Sequence, residues 1–337
     1  MLEKRSTNAT GAKIRAMYSN MFTIDNYREL MAKKTVAEAA QYLAASPRFK
    51  EVMRETDPNT VHRGYLEELI SRANFAAYLR IIKFQGLDKD PFYNYEIRDG
   101  EVMLIISSIN RINSSLEGNA LADVPGHLIR YIDQRLMNCA AAETYSELLG
   151  ALKGTRYYRV LSKVPLREDG KADLKACEVR LRNDYYEEIL SQAKDEDLKA
   201  LILKDIDCRN IINAYRMKAY FDYTPEQIKS SSLRFTAVGS RTMNRIYEAR
   251  DARQMLDIIT RTVYGKNSPD TDVIEMKLNA VKIRSLRRVL TSSTSAAAAV
   301  FAFVQLCRID AANIIRIIEG IRYGAEPALI ESQLVTL

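Results

Sequence analysis

Apolar residues recur along this 337-residue chain at three- and four-residue intervals, the spacing of a helix face. Leu66, Leu69, Ala73, Ala76 and Leu79 share one such face, and so do Ile314, Ile318 and Ile321 with Ile315 beside them. The pattern predicts long helices over 63–85, 101–115, 183–193, 196–220, 272–290 and 295–323. Shorter leading helices are predicted over 12–22, 125–142 and 238–249. Strands over 101–106 or 157–164 fit the pattern less well than helix. Linkers are expected at 56–61, 86–94, 119–124, 164–175 and 266–271, where Pro, Gly, Asp and Asn gather.

One helical signature stands out because it appears twice. Asp310-x-x-Asn313-Ile314-Ile315 leads into Glu319, Arg322 and Gly324, and Asp207-x-x-Asn210-Ile211-Ile212 leads into Arg216 and Lys218. Three residues apart, Asp and Asn lie on one helix face. Gly324 supplies the left-handed residue that commonly ends a helix. Each copy then meets a proline-started helix, at Pro225 and at Pro327, and Thr224 with Gln227 reads as a capping box. A third, degraded copy places Asp99 where Asp207 stands and Val102 where Asn210 stands.

A longer internal similarity accompanies it. Thr35, Glu38, Leu43, Ser46 and Phe49 are each 109 residues before Thr144, Glu147, Leu152, Thr155 and Tyr158. Gln254, Ile259, Thr262 and Tyr264 echo Glu147, Leu152, Thr155 and Tyr157 at an offset of 107. A period near that length exceeds a solenoid repeat of about 20–50 residues. It predicts an all-α protein of three similar helical domains, over 1–120, 121–236 and 237–337.

Composition sharpens this reading. Only 13 glycines and 8 prolines are few for a loop-rich or all-β chain, which supports helix. The longest apolar run, 296–306, is well short of the roughly 20 residues that span a bilayer, and no apolar core follows Met1–Arg5, so neither a span nor a signal peptide is expected. Cys139, Cys177, Cys208 and Cys307 are scattered and read as reduced thiols. The net charge of +7 favours acidic partners without naming one.

The chemistry-bearing residue types are sparse. His62 and His127 are the only histidines and form no metal-ligand spacing, so no metal is expected. Gly265-Lys266-Asn267-Ser268 resembles the end of a phosphate-binding loop but has Thr260 in place of its first glycine and Asn267 before the hydroxyl residue, and it reads as a turn. No GxGxxG follows a strand pattern, so no dinucleotide cofactor is expected. Asp207 and Asp310 are imaginable as catalytic carboxylates, but repeated charged residues at helix junctions are more often structural, and the same holds for Arg216, Glu319 and Arg322. Lys277, Lys282, Arg284, Arg287 and Arg288 form a basic stretch, with Lys277, Arg284 and Arg288 on one face. A solvated face is the default, a contact for acidic protein loops comes next, and a nucleic-acid face is the alternative. No aromatic residue is interleaved there to stack bases. The 19 tyrosines include Tyr185, Tyr186, Tyr215, Tyr220 and Tyr223 near helix ends, which suit core edges and interfaces.

Three passages carry a family resemblance: Ala12–Met17 with Asp25-x-Tyr27-x-x-Leu30; the Asp207 to Lys218 signature; and Asp310 through Gly324. In their order and spacing the chain resembles the C subunits of bacterial and archaeal V/A-type ATPases, relatives of the d subunit of eukaryotic V-ATPases. It departs from that pattern in lacking Asn in the first copy and in having Asp310 where Glu is expected. The resemblance implies an all-helical funnel of three domains around a pseudo-threefold axis. It implies a non-catalytic adaptor, without cofactor, on the cytoplasmic face of the membrane. Its implied partners are the D- and F-type subunits of the central stalk and the subunits of the membrane rotor ring, with membrane contact only through that ring.

Overall fold

The computed structural model describes residues 2–114, 120–266, 268 and 273–335. In chain order its helices are α1 (Leu2–Tyr18), α2 (Ile24–Met31), α3 (Val36–Ala45), α4 (Arg63–Gln85), α5 (Tyr95–Ser114), α6 (Gly126–Ile129), α7 (Gln134–Met137), α8 (Tyr145–Leu152) and α9 (Arg156–Leu161). They continue with α10 (Leu174–Gln192), α11 (Glu196–Phe221), α12 (Pro225–Ser230), α13 (Ser240–Tyr247), α14 (Ala252–Thr260), α15 (Ile274–Ser292), α16 (Ala296–Arg322) and α17 (Pro327–Gln333). The chain is all-α, as its pattern predicts. Among the described residues the β structure amounts to one isolated bridge, Leu166 to Ala172.

The chain packs as two compact units. Unit 1 joins Met1–Asp88 to Asn279–Leu337, so both ends of the chain build it. Its axis is α16, which contacts α1, α2, α3, α4 and α17. From Ala298 to Cys307 every residue of α16 is buried, the expected state of a helix apolar on all sides. That helix is long and apolar enough to cross a bilayer, yet 78% of its apolar window lies inside the protein, which makes it a core helix. Leu30, Leu43, Phe49, Leu66, Ile70 and Ile318 belong to one cluster around it. At Gly320 a Cβ would lie 2.4 Å from Ile330, so glycine lets α17 approach.

Unit 2 is continuous, Lys89–Leu278. Its first half packs α5 against α10 and α8, burying Leu104, Ile105, Leu148, Leu152 and Leu181. Its second half packs α11 against α13 and α14, burying Ile202, Ile206, Ile211, Ile246 and Met255.

The repeated sequence blocks fold alike. Thr35 Oγ1 accepts from the Glu38 amide (3.1 Å) while Glu38 Oε2 accepts from the Lys34 amide (2.8 Å). Thr144 and Glu147 do the same, at 3.2 and 3.0 Å with the Glu143 amide. Asp251 and Gln254 do it again, at 2.8 and 2.7 Å with the Arg250 amide. Each reciprocal cap satisfies one amide that the helix start leaves unpaired and the amide just before the cap. Packing repeats as well. The capped helix of the second block, α8, contacts α5, and that of the third, α14, contacts α11. The first, α3, contacts α16 near the other end of the chain.

The two signature helices end in the same elbow. After α16 comes Gly324 at φ +64°, and the Ala325 amide donates to Gly320 O (2.9 Å). After α11 the left-handed residue is Asp222, at φ +48°. Each elbow leads to a helix with proline at its start and one buried isoleucine, Ile228 or Ile330. The Thr224–Gln227 capping box forms as expected.

Several boundaries differ from the sequence pattern. The helix expected over 125–142 is broken into α6, α7 and a 3₁₀ turn at Asn138–Ala141, because the Asp133 carboxylate caps the Arg135 amide (2.9 Å) and starts a new helix. Helix α10 begins at Leu174 rather than 183, since Asp173 caps the Ala176 amide. Helix α1 begins at Leu2 rather than 12. The linker expected at 119–124 holds a 3₁₀ turn at Ala120–Asp123. The one expected at 266–271 falls largely outside the described residues, as does Asn267 of the Gly265 turn.

A left-handed backbone costs an L-residue with a Cβ about 1–2 kcal/mol. Gly324→Ala should therefore lower the midpoint of urea denaturation, whereas Asp222→Gly, which removes a Cβ at the matching elbow, should not.

Candidate functional site

The signature residues divide sharply by burial. Asp207, Asn210, Asp310 and Asn313 are buried, and Arg216 and Arg322 are exposed at the far ends of their helices. The structure thus brings each Asp together with its own Asn, inside one unit, and sends the arginines outward.

The asparagines act as clamps. Asn313 Nδ2 donates to Val335 O while the Val335 amide donates to Asn313 Oδ1, both at 3.0 Å. Asn210 makes the same pair with Leu233, both at 2.8 Å. In each case a side-chain amide on the long helix pairs with a peptide group just past the elbow helix. That geometry fixes where the returning segment lies. In the degraded copy Val102 is buried and apolar and makes no such clamp.

The carboxylates bind the repeated block that packs on their helix. Asp310 accepts from the Tyr27 hydroxyl and pairs with Arg48, whose side chain is 9% exposed against 3% for Asp310. Arg48 also donates to Asn74 Oδ1 (2.6 Å), and Asn74 Nδ2 donates to Cys307 O (3.1 Å), which ties α4 to α16 through partly buried polar groups. Asp207 accepts from the Tyr264 hydroxyl (2.8 Å) and from the amides of Ala237 (2.9 Å) and Val238 (3.2 Å). In the first copy the acceptor moves two residues along: Glu101 accepts from the Tyr157 hydroxyl (2.6 Å) and from Arg98 (2.9 Å), while Asp99 pairs with Arg182. Tyr157 and Tyr264 are equivalent in the repeat, and the residue 109 before Tyr157 is Arg48. The same position of each block therefore reaches a carboxylate on the long helix beneath it.

Burial sets the protonation of these groups. It raises the hydroxyls of Tyr157 and Tyr264, and the neighbouring carboxylates Glu101 and Asp207 raise them further, so both remain donors. Burial also raises Tyr27, against the opposing pull of Asn313 and Arg48. It lifts the Asp207 carboxyl above its ordinary value, while Thr236, Tyr264 and the two amides pull it down.

This arrangement anchors segments of the chain to the long helices. Asp207 is fully enclosed. Asp310 forms part of the wall of a cleft of about 390 Å³ with Tyr18, Thr23, Ile283 and Arg287, but both its oxygens are engaged by Arg48 and Tyr27. Among the described residues no group of three His, Cys, Asp or Glu side chains is placed to hold a metal. Glu319 pairs with Arg63 (2.5 Å) and Arg216 with Glu275 (2.9 Å). Arg322 lies over the Tyr323 ring at 5.5 Å. On α15 Arg284, Arg287 and Arg288 are exposed, and Arg284 and Arg288 make no ion pair among the described residues. Tyr220 and Tyr323, each 13 residues after the signature aspartate, are each 72% exposed.

Sequence reading found the helix side of two anchors, Asp207 and Asp310, expected Asp99 where the acceptor is Glu101, and missed the partners Arg48, Tyr157 and Tyr264. The repeat offset was the signal that marks all three as one position.

Removing one member of a buried ion pair strands the other, at a cost of about 3–5 kcal/mol. Asp310→Asn should destabilise unit 1 on that scale, whereas Asp207→Asn, which strands no guanidinium, should cost less in a urea titration at neutral pH. Asn313→Leu leaves the Val335 amide and carbonyl without partners and should cost about 1–3 kcal/mol in the same measurement.

Residues 10–333 match the family described as ATP synthase (C/AC39) subunit. The chain is also similar to the C subunit of the A-type ATP synthase of Methanosarcina mazei, 24% identical over 210 residues. That alignment covers 59% of this chain and 57% of the relative's length. The family match spans nearly the whole sequence and includes both Asp–Asn clamps. The chain belongs to the ATP synthase (C/AC39) subunit family of V/A-type ATPases.

Proposed function

We propose that this chain is the non-catalytic rotor adaptor of a V/A-type ATPase, linking the central stalk to the membrane rotor ring. It transmits torque between the ATP-handling head and the ring that carries H⁺ or Na⁺. Its partners are D- and F-type stalk subunits and the ring subunits. It works at the cytoplasmic face as a peripheral protein, touching the membrane only through the ring. The observation that carries this reading is the family match over residues 10–333. It is supported by signature carboxylates spent on internal anchoring, which leaves them unsuited to turnover.

The physics of the role fits the chain. A part that carries torque must resist deformation, and close-packed helices joined by buried hydrogen bonds are stiff. We take the sequence as three related helical domains, 1–120, 121–236 and 237–337, set as a pseudo-threefold funnel. The three reciprocal caps, one in each, support that division. The exposed Arg284, Arg287 and Arg288 give an acidic stalk or ring loop a basic face to dock on, and such polar contacts set association rate and specificity. The same face is what a nucleic-acid-binding module would use, which is the competing reading.

Capture of the chain from gently solubilised native membranes, followed by mass spectrometry, separates the two. Stalk and ring subunits should accompany it and be lost in a salt wash. Recovery of nucleic acid without ATPase subunits would overturn the adaptor reading. Reversing Arg284, Arg287 and Arg288 together to Glu should weaken this assembly with helicity unchanged by circular dichroism. Undiminished assembly would mean that the face is merely solvated.

A further inference from the structure

Unit 2 holds a cleft of about 240 Å³ between α10, α11 and the end of α12. On α10 it is lined by Lys175, Glu178 and Arg182, which follow at intervals of three and four residues and so share one helix face. On α11 it is lined by Arg209 and Asn213, four residues apart. Ser231, just past α12, completes the polar lining. The Asn210 clamp holds Leu233, two residues further on, and so fixes this third side.

Three cations and one carboxylate line the cleft. Each arginine is braced by a buried carboxylate outside the lining. Arg182 meets Asp99 through Nη1, and Arg209 meets Asp205 through Nε at 3.1 Å. A guanidinium carries five N–H donors, so each brace uses part of the fork and holds the rest in place. Glu178 is met by Lys175 at 3.3 Å. Two further groups are unspent. Ser230 and Ser232 bond back to the α12 carbonyls of Gln227 (3.0 Å) and Ile228 (2.8 Å). The half-buried Ser231 hydroxyl between them, and the half-buried Asn213 amide, make no hydrogen bond among the described residues.

We propose that this cleft binds a small phosphate-bearing ligand, free phosphate or a phosphate ester.

Phosphate is the oxyanion this donor set fits best. Guanidinium forks pair with phosphate oxygens two at a time. A phosphoryl group can accept from both helices and from Ser231 at once, whereas a carboxylate has only two oxygens to share among them. The apolar part of the lining is aliphatic, Val179, Ile212 and Leu233, and no aromatic ring lines the cleft to stack a base. The volume lies below the roughly 300–1,000 Å³ of sites for drug-sized ligands, so the ligand is small. Bound there, it ties α10 and α11 to the segment that Asn210 clamps. This binding is independent of the adaptor role, because every lining residue belongs to unit 2.

Isothermal titration calorimetry of the full chain at constant ionic strength tests it, with inorganic phosphate, glycerol 3-phosphate and acetate as probes. At least one phosphate compound should bind saturably, one per chain, with a Kd of about 1 mM or tighter. Tighter binding of glycerol 3-phosphate assigns an ester, whose organic part meets the aliphatic side; tighter binding of inorganic phosphate assigns the free ion. Arg209→Gln should weaken binding about tenfold or more, since a charge-assisted bond is lost. Should that variant fail to fold, the double variant Asn213→Leu, Ser231→Ala breaks no hydrogen bond of the described chain and should weaken binding several-fold. Absence of saturable binding by either phosphate compound, acetate binding as tightly as both, or unchanged affinity in a folded variant would each overturn the assignment.

Discussion

A carboxylate buried in the middle of a long helix has to find its donors elsewhere in the chain, and that requirement organises this protein. Asp207 and Asp310 lie on helices of 26 and 27 residues whose neighbouring positions are apolar and enclosed. Leaving either charge unsatisfied would cost several kcal/mol. The donors come from the repeated block that packs on each helix: Tyr264 on Asp207, and Arg48 with Tyr27 on Asp310. Beside each carboxylate an asparagine clamps the segment returning from the elbow. Apolar packing alone would let these helices slide by a residue or two, whereas directional bonds at two points fix register.

The same requirement explains how unit 1 is assembled. Its core helix is near the end of the chain, and the donors its carboxylate needs are near the beginning, 262 residues from Asp310 in the case of Arg48. The N-terminal block thus completes the C-terminal one. Arginine in place of tyrosine makes that junction an ion pair, the contact most sensitive to loss of one partner. A fold committed in this way has used its acidic residues for structure, consistent with a family of accessory subunits. The α15 arginines and the elbow tyrosines Tyr220 and Tyr323 stay exposed.

Much of this was legible in the residues. The helix pattern, the Thr224–Gln227 cap, the left-handed Gly324 and the pairing of Asp with Asn on one face all follow from local chemistry, and the structure has each of them. The repeated Thr35, Thr144 and Asp251 blocks proved to be the same cap three times. What sequence concealed was long-range or substituted. The position occupied by Tyr157 and Tyr264 carries Arg48 in the first block, so residue type hid the equivalence. The first copy's acceptor moved from Asp99 to Glu101, which breaks the spacing. The helix expected over 125–142 failed because Asp133 competes for a local amide, and α10 extended nine residues further because Asp173 caps it earlier. That no cation among the described residues pairs with Asp207 depends on what the segments at Thr236–Val238 and Tyr264 bring to it, which no local pattern encodes.

The proposed adaptor role is tested most directly in vesicles holding the reconstituted ATPase, by following ATP hydrolysis and ion uptake together with and without this chain. The role predicts that hydrolysis by the head continues without the chain while ion uptake stops, and that adding the chain back restores uptake. Uptake that stays coupled to hydrolysis in its absence would contradict it.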